Sequence, residues 1–340
     1  MDYADILENA KKRISSNCKV CPVCNGLACG NTMPGPGSKA PGNGAYDNYN
    51  AWRKIRVNMD TITAAEPVDT SVRLFGRKLS FPLLTAPIGS IQKQFNPTDD
   101  VSDFNEQCMA ACASRGILHA FGNGLYRWVW DKAIASGIAH DNTGIPVFNP
   151  DTNEHIKELM NLYQGKLQPL AMCVVVDSAG LPHLKTLMGG RGATKSIDEL
   201  RELKEYCGLP FIIKGIMTAE GARKAVEAGA DAIIVSNHGG RVLSDTPATA
   251  EVLMEIADAV KGRTVIMVDG GIRSGVDVFK ALAMGADICL ICRPVLISYY
   301  GGGEAGIACY LDKIRSELED TMYMCGVHSV KEISRQNIRF

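Results

Sequence analysis

The sequence lacks the features that would assign the protein to a membrane or to a nucleic acid. Its 340 residues carry 36 Lys and Arg against 37 Asp and Glu, and no basic run stands out that would attract nucleic acid or anionic lipid. No apolar stretch is long enough to span a bilayer, because Gly, Asp or Arg interrupts the longest ones. The N-terminal residues 1–5 are acidic and lack the apolar core of a signal peptide. We therefore predict a cytoplasmic protein that acts on a small molecule, without nucleic-acid or membrane partners.

A Gly-x-Gly-x-x-Gly motif after the first candidate strand is also missing, which argues against a dinucleotide-binding Rossmann domain. From residue 81 onward, short apolar runs alternate with helical patterns, as at residues 219–228, 248–260 and 274–284. Such alternation is typical of crossover units in a parallel sheet. Eight strands are predicted, at residues 82–87, 116–121, 145–148, 169–176, 210–214, 231–236, 264–269 and 288–292. Eight strands favour an α/β fold of the (β/α)8 TIM-barrel type over an open sheet.

Residues 1–60 do not share this alternation, so we predict an N-terminal extension before a barrel domain at residues 61–340. The extension begins with a short amphipathic helix predicted at residues 3–15 and ends with a Gly/Pro-rich loop at residues 33–44. A Gly-rich backbone serves equally as a flexible linker or as a surface that a ligand can approach closely. The sequence leaves both interpretations open.

Between that helix and that loop lies a cluster of cysteines. Four of the 12 cysteines follow the pattern Cys18-x-x-Cys21-x-x-Cys24, then Cys29. In a cytosolic chain, such spacing indicates metal, cluster or redox chemistry before structural disulfides. Four thiolates in one loop can hold an iron–sulfur cluster or zinc, and redox-active or simply structural thiols are the alternatives. The spacing alone does not choose among them.

Polar residues follow the ends of the last five predicted strands. Asp177 comes after the fourth strand, Lys214 ends the fifth, His238 follows the sixth, Asp269 ends the seventh and Arg293 follows the eighth. The carboxyl ends of barrel strands lie on one face, where barrel enzymes carry their active sites. The sequence therefore predicts an active site on this face.

A phosphate site is predicted in the run Asp-Gly-Gly-Ile-Arg-Ser-Gly at residues 269–275. Its glycines allow backbone N–H groups to face an anion at a helix N-terminus, and Arg273 adds positive charge. Arg293 would converge on the same place. The alternative is a Gly-rich turn with a solvated arginine.

Lys214 ends an apolar strand, so its ammonium either faces solvent or meets a negative partner, because burying an unpaired charge is costly. His238 is followed by Gly239 and Gly240, which leave room for a ligand. Histidine side chains titrate near neutral pH and can accept a proton from a hydroxyl group. Arg241 can bind a carboxylate through two parallel hydrogen bonds. A base and a carboxylate ligand this close together fit a 2-hydroxy acid.

Asp177 has two interpretations. Its carboxylate would either orient His238 and stabilise the protonated imidazole or simply cap a helix N-terminus. The other five histidines have no comparable surroundings, although His183 is predicted to lie near the site.

These segments resemble the FMN-dependent α-hydroxy-acid dehydrogenase/oxidase family, which includes glycolate oxidase, lactate oxidase and flavocytochrome b2. The resemblance runs from about Trp52 to the C-terminus and is densest from Leu209 to Ser334. It implies an FMN cofactor, oxidation of a 2-hydroxy acid to the 2-oxo acid, and a homo-oligomer, a tetramer in the family. It also implies that His238 is the base, Asp177 its partner and Arg241 the carboxylate ligand.

The resemblance further implies where FMN binds. The flavin ring would be contacted by Pro87, Ile88, Gly89, Asn149, Lys214 and Ser236. The ribityl chain and phosphate would be contacted by Asp269, Gly270, Gly271, Ile272, Arg273, Cys292 and Arg293.

The sequence departs from the family where the family recognises substrate. A second carboxylate-binding Arg shortly after Asp177 is absent, and Asn149 is followed by Pro150 rather than leading to the family's active-site Tyr. The cysteine-rich segment replaces the N-terminal substrate Tyr. Val175 stands for the usual Thr, and Cys292 stands for the usual Gly. Lactate- or glycolate-like acids are thus a default expectation. An FMN-dependent reductase or isomerase, an inosine-monophosphate-dehydrogenase-like enzyme and a non-catalytic FMN-binding module are the alternatives.

Overall fold

The structure is a computed structural model. It describes residues 2–15, 18–30, 42–89, 91, 95–98, 100–122, 127–142, 144–163, 165–181, 184, 188–190 and 193–340. Residues 31–41, which make up most of the Gly/Pro-rich loop, and His183 lie outside the described residues, so the predictions for them stay open. Within the described ranges, none of the helices combines the length and apolar character needed to cross a membrane.

The predicted barrel is confirmed. The strands are β1 (Arg56–Val57), β2 (Val72–Leu74), β3 (Arg77–Leu79), β4 (Leu83–Thr85), β5 (Leu118–Gly122), β6 (Gly144–Phe148), β7 (Met172–Val175), β8 (Phe211–Ile216), β9 (Ala232–Val235), β10 (Val265–Val268), β11 (Ile288–Ile291) and β12 (Ile338–Arg339). Strands β4 to β11 pair in parallel in chain order, and β11 pairs with β4 to close the barrel. All eight predicted strands are therefore barrel strands.

The helices surround this barrel. They are α1 (Tyr3–Arg13), α2 (Gly44–Lys54), α3 (Val101–Ser114), α4 (Arg127–Ala139), α5 (Asn153–Asn161), α6 (Ile197–Cys207), α7 (Ala219–Glu227), α8 (Thr249–Val260), α9 (Gly275–Ala283) and α10 (Arg293–Met324). The four helices predicted from the sequence are confirmed to within two residues at each end. Helix α1 begins at a reciprocal capping box, in which the Asp2 and Asp5 carboxylates each accept the other residue's backbone N–H.

Alternation along the strands places the site. On the inner face, buried apolar side chains such as Ile212, Ile234 and Met267 fill the barrel. Two residues further along three strands the same face carries Lys214, Ser236 and Asp269, because side chains on one face of a strand repeat every second residue. The apolar filling therefore gives way to polar groups at the carboxyl end of the barrel, as predicted.

The N-terminal segment packs closely on the barrel domain. A Cβ atom at Gly301 of α10 would lie 2.1 Å from the Ile6 carbonyl oxygen of α1, and one at Gly44 of α2 would lie 2.7 Å from the Cα of Gly240. Trp52 of α2 is fully buried. Helix α2 thereby reaches the loops at the carboxyl ends of the strands. The division of the chain at residue 60 stays a prediction.

Candidate active site

The loop that follows β9, residues 236–241, has an unusual backbone; we call it the base loop. His238, Gly239 and Gly240 all have positive φ angles, of 57°, 68° and 76°. Glycine adopts this left-handed region without a steric cost, whereas a histidine there is uncommon and strained. Strained residues of this kind cluster at functional sites. The strained backbone therefore marks the base loop as a candidate functional segment.

His238 pairs with Asp177. Its Nδ1 atom lies 3.1 Å from Asp177 Oδ1, across the intervening strand β8. The hydrogen bond requires a proton on Nδ1, which leaves the lone pair of the neutral ring on Nε2. The second carboxylate oxygen of Asp177 is buried without a hydrogen-bond partner among the described residues. Asp177 therefore orients the imidazole and directs the free Nε2 away from the carboxylate.

The helix-cap interpretation of Asp177 is wrong. Asp177 lies inside a 3₁₀ turn, Val176–Gly180, whose N-terminal cap is Val175 and has no side-chain cap hydrogen bond. We call this segment the carboxylate turn. Its carboxylate points to His238 instead of to a helix end.

Gly215 in β8 leaves the space that Asp177 occupies. Its φ angle is 108°, and the strand register shifts between Lys214 and Ile216. A Cβ atom at this position would lie 2.6 Å from both Cβ and Cγ of Asp177. Since real Cβ atoms do not approach other atoms so closely, only glycine lets the Asp177 carboxylate cross β8 to His238. Nothing in the sequence alone marks this role of Gly215.

Lys214 is buried and paired. It is 4% exposed, and its Nζ lies 2.7 Å from Asp269 Oδ2 and donates a hydrogen bond to Ser236 Oγ. Burial alone would lower the pKa of Lys214, but the attraction of Asp269 and Asp177 outweighs it and raises the pKa above its ordinary value. The solvent-exposed alternative for this lysine is therefore wrong, and the ammonium stays charged at neutral pH.

Three arginines converge near the base loop and residues 269–275, which we call the phosphate loop. Burial lowers the pKa of Arg241 to about 10, and the neighbouring charge of Arg293 adds to this effect. Burial and the nearby Arg293 also lower the pKa of Arg273. Arg293 begins α10, and its Nη2 lies 3.7 Å from the position of a Cβ on Gly239. The site thus concentrates positive charge that a bound anion would relieve.

The surroundings of Arg273 show how an FMN phosphate fits this charge. Its Nε donates to the Cys24 carbonyl and its Nη1 to the Ile272 carbonyl, whereas Nη2 is buried without a partner among the described residues. A buried N–H of a guanidinium group without a partner is costly, and a phosphate oxygen is the acceptor it matches best. The alternative of a solvated Arg273 is therefore wrong.

Three backbone amides of the phosphate loop are already used by the protein. The Asp269 amide donates to the Val235 carbonyl, the Arg273 amide to Asp277 Oδ2 and the Gly275 amide to Glu317 Oε2. The anion contacts of this loop are therefore left to its arginine and to the amides of residues 270–272 and 274. The contacts of Asp269, Gly270, Gly271 and Ile272 with a cofactor stay predictions.

Helix α2 contributes residues that the sequence analysis missed. The Asn48 side chain is buried and exchanges hydrogen bonds with the Asn237 side chain. Trp52 Nε1 donates to the Gly270 carbonyl over 2.8 Å. Both residues lie on the buried stripe of an amphipathic helix. An amide in such a stripe needs a buried partner, and this was the available signal.

The remaining predicted residues lie on the same barrel face. Pro87, Ile88 and Gly89 follow β4, and Cys292 follows β11 on the inner face. Asn149 follows β6, is half-buried, and accepts a hydrogen bond from Ser178 Oγ over 3.2 Å. The structure therefore brings the predicted cofactor residues to one mouth of the barrel, while their individual contacts with FMN stay predictions.

The four clustered cysteines are half-buried thiols. Burial raises the pKa of Cys18 to about 11, and the neighbouring Cys24, Cys29 and Cys21 add to this effect. Among the residues that the structure describes, no group of three or more His, Cys, Asp or Glu side chains is arranged to hold a metal ion. The predicted iron–sulfur or zinc site thus has no support from the described residues. The backbone of this segment instead contacts the phosphate loop, through Cys24 and Arg273.

The site geometry agrees with comparisons to known proteins. The chain matches the family of FMN-dependent dehydrogenases over residues 37–125 and 150–340. Glycolate oxidase of Spinacia oleracea is 32% identical over 330 residues, which cover 86% of this chain and 86% of that protein. A solved mandelate oxidase variant with 2-hydroxy-phenylacetamide has a TM-score of 0.79 at 25% identity, covering 99% of this chain and 97% of its own.

A flavocytochrome b2 variant has a TM-score of 0.81 at 22% identity, covering 99% of this chain and 86% of that chain, and it shows the shared fold. The family match covers well over half of the chain and includes the base loop, the phosphate loop and strand β8. The chain therefore belongs to the family of FMN-dependent dehydrogenases.

Proposed function

We propose that the protein uses FMN to oxidise a 2-hydroxy acid to the 2-oxo acid, with His238 as the base. The observation that carries this proposal is the His238–Asp177 pair at 3.1 Å. It lies on the barrel face that also holds the buried Lys214–Asp269 pair and the arginines. The reaction needs a base for the hydroxyl proton, a ligand for the substrate carboxylate and an anion site for the FMN phosphate, and this face offers residues for all three.

The substrate would be held and deprotonated by two residues of the base loop. Arg241, which stays charged because its pKa of about 10 is well above neutral, would bind the substrate carboxylate. His238 would accept the hydroxyl proton at Nε2, since Nδ1 is engaged with Asp177. Asp177 would then stabilise the positive charge on the imidazole.

FMN, when bound, supplies the acceptor for the two electrons and the hydrogen that leave the substrate carbon. Lys214 and Ser236 would hold the flavin ring, and Arg273 and Arg293 would hold the phosphate. The salt bridge to Asp269 positions the Lys214 ammonium and keeps it charged, so that it can stabilise negative charge beside it.

Arg241 and His238 indicate the substrate class, a 2-hydroxy acid. They do not define the size of the substrate. Short acids such as lactate or glycolate are the default that the family resemblance gives, and the second family arginine and the active-site tyrosine, which would define the substrate further, are absent from this sequence. An FMN-dependent reductase or isomerase is the alternative, since the same barrel and cofactor would serve it. The family match sets aside the inosine-monophosphate-dehydrogenase-like alternative.

The replacement His238→Ala tests the proposal. We expect reduction of the flavin by hydroxy acids, followed under anaerobic conditions by bleaching of its visible bands, to slow by about 10²- to 10⁴-fold. FMN should stay bound, because Lys214, Arg273 and Arg293 are unchanged. His155→Ala, which removes a part-exposed histidine far along the chain on α5, is the control and should change nothing.

Unaltered activity of the His238→Ala protein, or loss of its FMN, would contradict the assignment. Flavin bands of the unaltered protein that persist with a broad panel of hydroxy acids would favour the reductase or isomerase instead.

Three narrower predictions belong to this proposal and rest on the sequence and the resemblance alone. They are the cytoplasmic location, the homo-oligomer, and a metal or cluster at Cys18, Cys21, Cys24 and Cys29.

A further inference from the structure

We propose that Asn48 of helix α2 is a positioning residue that holds the base loop and the phosphate loop in one fixed arrangement. Asn48 is fully buried and lies 189 residues before Asn237 of the base loop in the sequence. Its amide contacts residues from the base loop and from helix α8, and its backbone contacts the phosphate loop. The proposal goes beyond the roles assigned above, and only its kinetic test rests on the proposed function.

The first step is the pairing of Asn48 with the base loop. Asn48 Nδ2 donates to Asn237 Oδ1 over 2.7 Å, and Asn237 Nδ2 donates back to Asn48 Oδ1 over 3.2 Å. Asn237 directly precedes the strained His238. Two reciprocal hydrogen bonds fix the orientation of both amides, and an unpaired amide in this buried place would be costly.

The orientation of Asn237 is set on its other side as well. Its Nδ2 donates to the Pro247 carbonyl, and its Oδ1 accepts from the Gly240 amide over 3.3 Å. If the Asn237 amide rotated by 180°, its oxygen would face the Pro247 carbonyl and its NH2 would face the Gly240 N–H. Asn237 therefore cannot adapt to a changed partner at residue 48 without losing these two bonds.

The second step is the link to the phosphate loop. Asn48 Oδ1 also accepts from the Thr249 backbone N–H over 3.0 Å, and Thr249 Oγ1 donates to the Asp269 carbonyl over 2.7 Å. The backbone oxygen of Asn48 packs against Gly271, where a Cβ atom would lie 2.3 Å away. Asn48 thus contacts both Asn237, which precedes the base His238, and Gly271 of the phosphate loop.

The substitution Asn48→Asp gives a test that a purely structural role would not pass. In its ionised form the introduced carboxylate presents two acceptors and faces Asn237 Oδ1 without a donor, whereas its protonated form restores an O–H donor. Burial raises the pKa of a carboxyl group, so this change falls in an accessible pH range. The Asn48→Ala variant lacks both donor and acceptor at every pH.

The charged groups on the elements packed around residue 48 are His238 and Arg241 on the base loop, Asp269 and Arg273 on the phosphate loop, and Glu251, Glu255 and Asp258 on α8, together with Asp47, Arg53 and Lys54 on α2 itself. None of them differs between the two variants. The ratio of the Asn48→Asp rate to the Asn48→Ala rate therefore isolates the protonation of residue 48.

We expect the FMN dissociation constant and the flavin-reduction rate of Asn48→Ala each to worsen by about tenfold. The ratio of the Asn48→Asp rate to the Asn48→Ala rate should rise by about fivefold or more between pH 8 and pH 5.5. The same ratio for FMN affinity, measured by fluorescence without substrate, should rise in parallel. Asn50→Asp, about 200° around the same helix, should change each value less than twofold.

A ratio that stays flat with pH, or an Asn48→Ala protein with unaltered FMN affinity, would overturn the inference. If a variant only lost thermal stability while FMN affinity and rate stayed unaltered, Asn48 would be structural and the inference would be wrong. If no hydroxy acid reduced the flavin of the unaltered protein, the proposed function would fail, and the FMN-affinity ratio would still decide the role of Asn48.

Discussion

The base loop and the carboxylate turn supply the two members of one pair, yet they are held in place differently. The base loop is held by groups from three other segments, which are Asn48 of α2, Lys214 of β8 and the Pro247 carbonyl before α8. The carboxylate turn is held by one hydroxyl group, Ser178 Oγ, which donates to the Val175 carbonyl next to the turn and to Asn149 after β6. The base loop therefore depends on several elements of the fold, whereas its partner depends on the hydrogen bonds of a single side chain.

The position of the carboxylate turn also depends on the shape of β8. Asp177 fits only because Gly215 has no side chain. The comparison shows two ways of positioning a catalytic pair. Hydrogen bonds from other elements position His238, whereas Asp177 depends on the space left by the missing side chain of Gly215. Mutations should separate the two mechanisms, since each can be removed while the other stays.

The largest expected effect comes from removing the charge of the carboxylate turn. Asp177→Asn keeps the shape and an oxygen that accepts from His238 Nδ1, but it no longer stabilises the protonated imidazole. We expect flavin reduction to slow by about 10²-fold or more, while FMN stays bound. Stopped-flow reduction by the best hydroxy acid measures this. A rate within threefold of the unaltered protein would show that Asp177 only orients the ring.

A smaller effect is expected when Asp177 keeps its charge but another group occupies the space of its carboxylate. In Gly215→Ala, the new methyl group pushes Asp177 away from His238, so we expect flavin reduction to slow by about tenfold. The positive φ angle adds a stability cost of about 1–3 kcal/mol. Urea unfolding and stopped-flow reduction measure the two effects separately.

Gly208→Ala is the matched control for this substitution. Gly208 also has a positive φ angle, of 62°, but apart from its chain neighbours no described residue has an atom within 4 Å of its Cβ position. It should lose stability and keep its rate. Equal kinetic effects in both variants would mean that backbone strain, rather than the displaced carboxylate, explains the loss.

The sequence predicts the residues of the pair but not what holds them. The eight strands, and Lys214, His238 and Asp269 at their ends, could be predicted because apolar runs mark buried strands and the polar residue that ends each run faces the barrel mouth. These features are local in the sequence. Their pattern is visible in a few adjacent residues.

The supporting contacts could not be predicted, because they join residues far apart in the chain. Asn48 pairs with Asn237 across 189 positions, and Arg273 reaches the Cys24 carbonyl across 249. The effect of Gly215 depends on a distance to Asp177 that no spacing reveals. The cysteine pattern left a metal, a cluster and redox or structural thiols open, and the described side chains form no group of three or more His, Cys, Asp or Glu residues arranged to hold a metal ion.

The smallest effect is expected at the outer end of the carboxylate turn. Asn149 accepts from Ser178 Oγ, which also donates to the Val175 carbonyl, so Asn149→Ala leaves the turn its own hydrogen bond. Because Asn149 is half-buried, water can replace its contact with the turn, and we expect the rate to change by about twofold or less. Stopped-flow reduction measures this rate, and FMN fluorescence titration of the same variant tests the predicted flavin contact. A tenfold loss of FMN affinity would give Asn149 the flavin contact that the family resemblance implies, and a tenfold loss of rate alone would mean that the turn is not held locally.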